Sequence, residues 1–191
     1  MSSQVSVSPR RGLNARQAET AERLLAAGHE ELRAVGHEAL TIRTVAQRAG
    51  VSPATAYTYL ASKNHLFAEL FWRYLTEDEA EPTGETPVER LQSVTRHLAE
   101  RLAAAPELAA AVTPALLGTD PDVERLRLRI GAEFVDRFRA ALGDDADPAV
   151  LETLALAFSG ALLQGGMGLM TYTELGDRLD AVVAVIMKGN Q

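Results

Sequence analysis

The stretch GVSPATAYTYLASK, residues 50–63, contains two helix-start signals only ten residues apart. Ser52 followed by Pro53 is typical of a helix N-cap and first helical position. The serine oxygen can accept a backbone N–H, and proline has no N–H to leave unpaired. Ser62 followed by Lys63 repeats the start signal. The residues between the two signals therefore predict a very short helix with small side chains and two tyrosines.

Two further helices precede this short one. The first is predicted from Ala15 to Val35, with an apolar stripe of 3.6-residue period and Gly36 at its end. The second is predicted from Ile42 to Ala49, after the N-cap candidate Thr41. Three N-terminal helices with a glycine-containing turn between the second and the third are the parts of a helix-turn-helix, whose last helix enters the DNA major groove.

The third helix has the side chains that such a role requires. Small residues over 52–55 would let its backbone approach the base edges. Tyr57 and Tyr59 point about 200° apart, which predicts one phenol towards each wall of a groove. Lys63, in the first turn of the following helix, predicts a phosphate contact. The alternative is an ordinary buried helix with both tyrosines in the core.

Turn residues beyond this point predict further helices, and no run of alternating β-branched residues predicts a strand. A fourth helix follows Ser62 and ends in an acidic linker around residues 76–87. The remaining helices are expected near 87–104, 106–117, 121–142, 148–172 and 174–188. The predicted fold class is all-α, with about nine helices.

Composition and charge support this division into parts. The 191 residues are 47% apolar and 24% charged, and the absence of cysteine excludes disulfides and thiolate metal sites. Residues 1–75 carry nine basic and six acidic side chains, and the rest carry ten and twenty, within a net charge of −7. Such asymmetry is typical of a DNA-facing part followed by an acidic regulatory part. We see no secretory signal and predict a cytoplasmic protein.

The run LLAAGHEELRAVGHEALTIRTVAQRAGVSPATAYTYLASKNHLFAEL, residues 24–70, resembles the DNA-binding domain of the tetracycline-repressor (TetR) family of bacterial regulators. Leu60 stands where an aromatic residue is commoner in the family, and Ala54 replaces a frequent glycine. The positions that match, in register and without gaps, are Gly36, Thr41, Val45, Ala46, Ala49, Gly50, Val51, Ser52, Thr55, Tyr57, Ser62, Lys63 and Leu66.

The resemblance implies three parts. A flexible basic arm, residues 1–14, precedes a helix-turn-helix DNA-binding domain, residues 15–62, and a helical ligand-binding and dimerisation domain, residues 63–191. The arginines of the segment SPRRGLNAR, at 10, 11 and 16, belong either to a DNA-contacting arm or to a solvated tail, and both interpretations remain open.

Roles at matching positions also follow from the resemblance. Thr55 and Tyr57 are expected to contact phosphates, and Lys63 to clamp the DNA backbone. Arg43 matches a position from which some family members read a base, and an arginine there could bond to O6 and N7 of guanine. The predicted DNA-binding set is Arg43, Thr44, Ser52, Pro53, Ala54, Thr55, Tyr57, Tyr59 and Lys63.

Residues 153–173, TLALAFSGALLQGGMGLMTYT, carry no charge and have the length of a membrane span. Gln164, Ser159 and four glycines favour a buried helix instead, so no membrane partner is predicted. In the TetR family the last two major helices of each subunit form a four-helix bundle with those of a second subunit. The predicted dimer interface is Ala157, Ala161, Gly165, Leu175, Leu179, Val182, Val183 and Ile186.

Family members commonly keep a ligand cavity in this part of the chain. The candidate ligand-binding residues are Trp72, Leu75, His97, Arg101, Phe134, Phe138, Gln164 and Met167. The two His-Glu pairs lack a second histidine four residues on, and no catalytic constellation is found, so we predict no enzyme activity, no cofactor and no metal.

The function that these features predict is a homodimeric repressor, released from a palindromic DNA operator by a small-molecule inducer. The alternatives are a helical small-molecule-binding protein without DNA binding, and a constitutive or activating DNA-binding regulator.

Overall fold

The computed structural model describes residues 15–77, 80–143 and 146–189. Over these ranges the chain forms nine α-helices and no strand, which confirms the predicted all-α fold class. They form two compact units, named here the N-terminal unit (residues 15–77 and 110–126) and the bundle unit (the remaining described residues). The predicted basic arm, residues 1–14, lies outside the described residues. The functional boundary after residue 62 stays a prediction.

The N-terminal unit contains α1 (Ala15–Ala39), α2 (Ile42–Arg48), α3 (Pro53–Tyr59) and α4 (Lys63–Thr76). At Gly36 the backbone leaves the helical region, with φ 75° and ψ 169°, so α1 is interrupted where its end was predicted. Thr41, Ser52 and Ser62 each accept a backbone N–H from the residue three positions on, and they cap α2, α3 and α4 as predicted.

Close packing of α1 against α4 supports this unit. Leu24 and Leu32 on α1 and Leu66 on α4 are completely buried. A Cβ atom at Gly28 would lie 2.7 Å from Cδ1 of Leu66, so the missing side chain lets the two helices approach. Val35, the predicted last residue of the helix, is exposed and lies in the last turn before the interruption of α1.

The bundle unit contains α5 (Pro87–Ala104), α8 (Pro148–Gly166) and α9 (Tyr172–Lys188), and α9 packs on both of the others. Helices α6 (Pro106–Leu117) and α7 (Pro121–Leu142) contribute residues to both units. In the bundle unit, Phe134 and Phe138 pack edge to face on Phe158, with ring centroids 4.9 and 5.5 Å apart. Such pairs stabilise a core beyond the area that they bury.

The sequence predicted one helix that continues to residue 172, and this prediction is wrong. Helix α8 ends at Gly166, and Gly168 has a φ of 73°, which only glycine adopts readily. Thr171 then caps α9 in a capping box with Glu174, and the hydrogen bonds from Thr171 lower the pKa of the Glu174 carboxyl. Among the described helices α8 alone has the length and mean hydropathy of a membrane span, a property that core helices share.

The glycine at position 28 offers a test of the α1–α4 contact. We expect Gly28→Ala to lower the free energy of unfolding by about 1–2 kcal/mol, because the added Cβ must displace the buried Leu66. Gly131→Ala, on the exposed face of α7 with no atom within 4 Å of the new Cβ, should instead raise it by about 0.5–1 kcal/mol. Urea unfolding measures both, and an equal gain for the two variants would contradict the close contact.

Candidate nucleic-acid interface

The turn between α2 and α3 sets the direction of α3. Gly50 has a φ of 67°, in the left-handed region, and its N–H donates to Gln47 O at 3.2 Å. The next N–H, of Val51, donates to Ala46 O at 3.0 Å. These bonds satisfy the last carbonyls of α2, and the chain then enters α3 after Ser52. This is the tight turn of a helix-turn-helix.

Helix α3 is anchored on one side and open on the other. Ala56 and Leu60 are buried, whereas Pro53, Ala54 and Tyr57 are exposed. The two tyrosines differ in exposure, since Tyr57 is 51% exposed and Tyr59 is half-buried. The interpretation of α3 as an ordinary core helix with both tyrosines sealed inside is therefore wrong.

Three predicted contact residues, Thr44, Ser52 and Thr55, use their hydroxyl groups within the helix caps. Thr44 Oγ1 donates to Thr41 O at 2.8 Å and accepts the Thr41 N–H at 3.2 Å. Its hydroxyl hydrogen is therefore engaged, so Thr44 can offer a DNA partner only an acceptor. The hydroxyls of Ser52 and Thr55 lie 2.9 Å apart, and Ser52 Oγ also accepts the Thr55 N–H. Arg43, one residue before Thr44, is exposed on α2.

Lys63 has partners that the sequence did not indicate. Its Nζ donates to the backbone oxygens of His37, at 2.9 Å, and Glu38, at 3.2 Å, at the end of α1. The lysine thus ties the start of α4 to the segment after Gly36, and a positive charge near the end of a helix is favourable. Its role as a phosphate clamp stays a prediction.

A charged pair fixes α2 on α1. Nε and Nη2 of Arg48 lie 2.8 and 2.7 Å from Oε2 of Glu31, whose side chain is 9% exposed. Charge-assisted bonds of this kind are stronger than neutral ones, and the buried carboxylate would be costly to leave without a partner. The pair therefore holds the orientation of α2, and with it that of the turn and of α3.

A second unpredicted contact joins the start of α4 to the turn between α6 and α7. Ser62 Oγ accepts the N–H of His65 at 3.0 Å and donates to Oδ2 of Asp120 at 2.5 Å. Oδ1 of Asp120 accepts the N–H of Asp122 at 2.9 Å, at the start of α7. Ser62 thus connects the segment between α3 and α4 with a turn 58 positions further along the chain.

The predicted dimer residues fall into two groups in the structure. Ala157, Ala161, Val182 and Ile186 are at least partly accessible. The other four are used inside the chain, which corrects their assignment. Leu175, Leu179 and Val183 are buried, and a Cβ at Gly165 would lie 3.0 Å from the Tyr172 ring. The apolar stripe that the sequence shows on α9 therefore faces its own unit, where α9 packs on α5 and α8.

The predicted ligand residues lie in different surroundings. Phe134 and Phe138 are buried against Phe158, and Gln164 and Met167 are exposed at the end of α8. In the N-terminal unit Leu75 is buried, and Trp72 packs against a cluster of Ala68, Val123 and Leu126. His97 and Arg101 are half-buried on α5. The structure accounts for the two phenylalanines as core residues, and a ligand site at the others stays a prediction.

Known proteins resemble the chain over most of its length. Residues 24–70 match the family described as bacterial regulatory proteins, tetR family. An uncharacterized HTH-type transcriptional regulator of Mycobacterium tuberculosis is 46% identical over 179 residues, or 92% of this chain and 84% of the relative. The HTH-type transcriptional repressor KstR of Rhodococcus jostii is 26% identical over 160 residues, or 80% and 75%. A crystal structure of a TetR transcriptional regulator from Rhodococcus sp. RHA1 superimposes with a TM-score of 0.76 at 20% identity, covering 92% and 97%.

Helix α3 is short and exposed and follows a glycine turn, and a relative of the chain is an HTH-type regulator. These features identify the class of the protein as a DNA-binding transcriptional regulator. The chain belongs to the TetR family of these regulators. The residues that match the family include the helix-turn-helix, and the solved structure supports the fold over 92% of the chain.

The contact between Ser62 and Asp120 can be measured by a double-mutant cycle. We expect Ser62→Ala and Asp120→Ala to be coupled by about 1.5–3 kcal/mol in the free energy of unfolding, because a hydrogen bond to a charged acceptor joins the two side chains. Thermal and urea unfolding of the two single variants and the double variant give the coupling. Losses that add to within about 0.5 kcal/mol would show that the contact contributes nothing in solution.

Proposed function

We propose that the chain is a homodimeric repressor of the cytoplasm, which binds a palindromic DNA operator and is released by a small-molecule ligand. The main support is the exposed face of α3, with Arg43 exposed on α2, in a member of the TetR family. The relative KstR is named a repressor, and this supports the sign of the regulation.

In this proposal α3 enters the major groove, and the predicted DNA-binding set supplies the contacts. Arg43 is exposed on α2, which suits a base-reading arginine. Tyr57, exposed on α3, suits a phosphate contact. Two of the three Lys63 ammonium hydrogens are accounted for by carbonyls, so a third is left to meet a phosphate at the edge of the groove.

The proposed dimer uses the outward faces of α8 and α9. Leu156 on α8 is 69% exposed, and Val182 and Val185 on α9 are 37% and 74% exposed. Helices α8 and α9 pack on each other, and exposed large apolar side chains on two packed helices suit an interaction surface. The second copy of the chain is the proposed occupant, since a two-fold dimer is what a palindromic operator requires. It would place the two α3 helices about one DNA turn, or ~34 Å, apart.

The proposed ligand response acts through the contact of Ser62 with Asp120. Ser62 caps α4 directly after α3, and Asp120 lies in the turn between α6 and α7. A ligand that displaces this turn would change the cap of α4 and so the setting of α3. A coupling of about 1–3 kcal/mol, typical of allostery, alters DNA affinity roughly 5- to 150-fold.

DNA binding is tested by selecting duplexes from a randomised library with the full chain. On a selected duplex, Arg43→Ala should lower affinity by about 1–3 kcal/mol, and on a scrambled duplex it should have little effect, because a base contact discriminates sequences. Lys63→Ala should weaken binding to both duplexes alike and lower the slope of log affinity against log salt by about 0.9.

The salt slope separates the two roles of Lys63. A lysine that only holds the carbonyls of His37 and Glu38 would change stability but leave the slope unchanged. Failure of the wild-type chain to enrich any duplex would overturn the proposed function, and equal losses for Arg43→Ala on both duplexes would overturn its base-reading role.

The dimer is tested with two exposed valines. Val185→Asp should convert the chain from a dimer to a monomer of 20.6 kDa, because it places a charge in the proposed apolar interface. Val35→Asp, on an exposed valine of α1, is the matched control and should leave the dimer intact. Sedimentation velocity measures the masses. A dimer that tolerates Val185→Asp, or a wild-type chain that is monomeric, would exclude this interface.

A further inference from the structure

The centre of the exposed face of α3 is a residue that the predicted DNA-binding set leaves out. The buried pair Ala56 and Leu60 marks the side of the helix that packs on the protein. With about 100° per residue, Thr58 lies roughly 180° from the midpoint of this pair and Ala54 roughly 140°. Both are exposed, whereas Tyr59, at the flank, is half-buried. Thr58 is therefore the residue that points most directly away from the protein.

The hydrogen bond of Thr58 determines what it can offer a ligand. Its Oγ1 donates to Ala54 O at 3.1 Å, so its hydroxyl hydrogen is already engaged within α3. A threonine in this state keeps only acceptor capacity at the hydroxyl and has one methyl group besides. The neighbouring exposed residue, Ala54, has a methyl group as its whole side chain. The centre of the face thus offers two methyl groups and no hydrogen-bond donor.

The two methyl groups of this surface favour thymine among the bases. In the major groove guanine and adenine offer hydrogen-bonding groups that long polar side chains read, and cytosine offers an amino donor. Thymine alone also presents a methyl group, at C5. No residue of α3 is Arg, Lys, Asn or Gln, so the helix lacks the side chains that make bidentate bonds to a purine edge. Short side chains at this position also allow the close approach that a methyl contact needs.

We propose that Thr58, with Ala54 beside it, is a specificity-determining residue that recognises the C5-methyl group of a thymine in each half of the operator. The inference rests on the proposed function, because it requires α3 to lie in the major groove. It assigns sequence preference to the middle of α3, and it leaves Arg43 and the tyrosines their proposed contacts at its edges.

The test pairs a methyl deletion in the protein with a methyl deletion in the DNA. Duplexes are first selected from a randomised library with the full wild-type chain. Each thymine of the selected half-site is then replaced in turn by deoxyuridine, which lacks only the C5-methyl group. Affinities of the wild type, Thr58→Ser and Thr58→Val are measured for every duplex. Thr58→Ser keeps the hydroxyl and loses the methyl group, and Thr58→Val does the reverse.

At one thymine per half-site, we expect deoxyuridine to weaken binding of the wild type about fourfold, the worth of one buried methyl group. Thr58→Val should discriminate at least as well as the wild type, and Thr58→Ser should bind both duplexes equally. Thermal melting of the three proteins verifies that both substitutions leave the fold intact.

The outcomes separate this inference from the proposed function. If Thr58→Ser discriminates between thymine and deoxyuridine as the wild type does, the methyl contact is absent and the inference is overturned, while DNA binding stands. If Thr58→Val loses the discrimination, the hydroxyl carries it and the inference is likewise overturned. If no duplex is enriched, both the inference and the proposed function fail.

Discussion

The burial of Ala56 and Leu60 is the constraint on which the presentation of α3 depends. A helix of seven residues is too short to be stable by itself in water, because the cost of nucleation exceeds the gain from so few hydrogen bonds. The helix gains what it lacks from the buried side chains of Ala56 and of Leu60 at its C-cap, from the Ser52 cap and from the glycine turn before it. With one face fixed in this way, the opposite face has only one orientation in which to meet DNA.

Local signals in the sequence predicted most of the helical fold. Serine, threonine and proline act within one turn of the helix that they start, so Thr41, Ser52 and Ser62 could be recognised as caps from the sequence. Gly36 and Gly50 interrupt or end their helices where the sequence predicted, since glycine has no Cβ and adopts a positive φ readily. The end of α8 was missed because an uncharged run gives no sign of which of its glycines leaves the helix.

Contacts distant in the sequence could not be predicted. Lys63 reaches carbonyls 25 and 26 positions earlier, and Ser62 bonds to an aspartate 58 positions later. A stripe on α9 was assigned to the dimer because periodicity shows that a face is apolar but not what covers it. The structure shows that Leu175, Leu179 and Val183 are covered by the chain itself. The outward residue Val185 could have been found only from a second, narrower stripe with Val182.

The same division of faces explains how one short helix can serve two purposes in DNA recognition. Phosphates are read by charge and by hydrogen-bond donors, which the family resemblance places at the flanks of α3 and at the neighbouring helix ends. At the centre, Thr58 has already given its hydrogen to Ala54 O, so it offers a base edge a methyl group and an acceptor but no donor. Methyl groups at this centre favour contact with a thymine methyl group, while the polar flanks hold the DNA backbone. Sequence preference and affinity would then reside in different residues of α3, and each could change without the other.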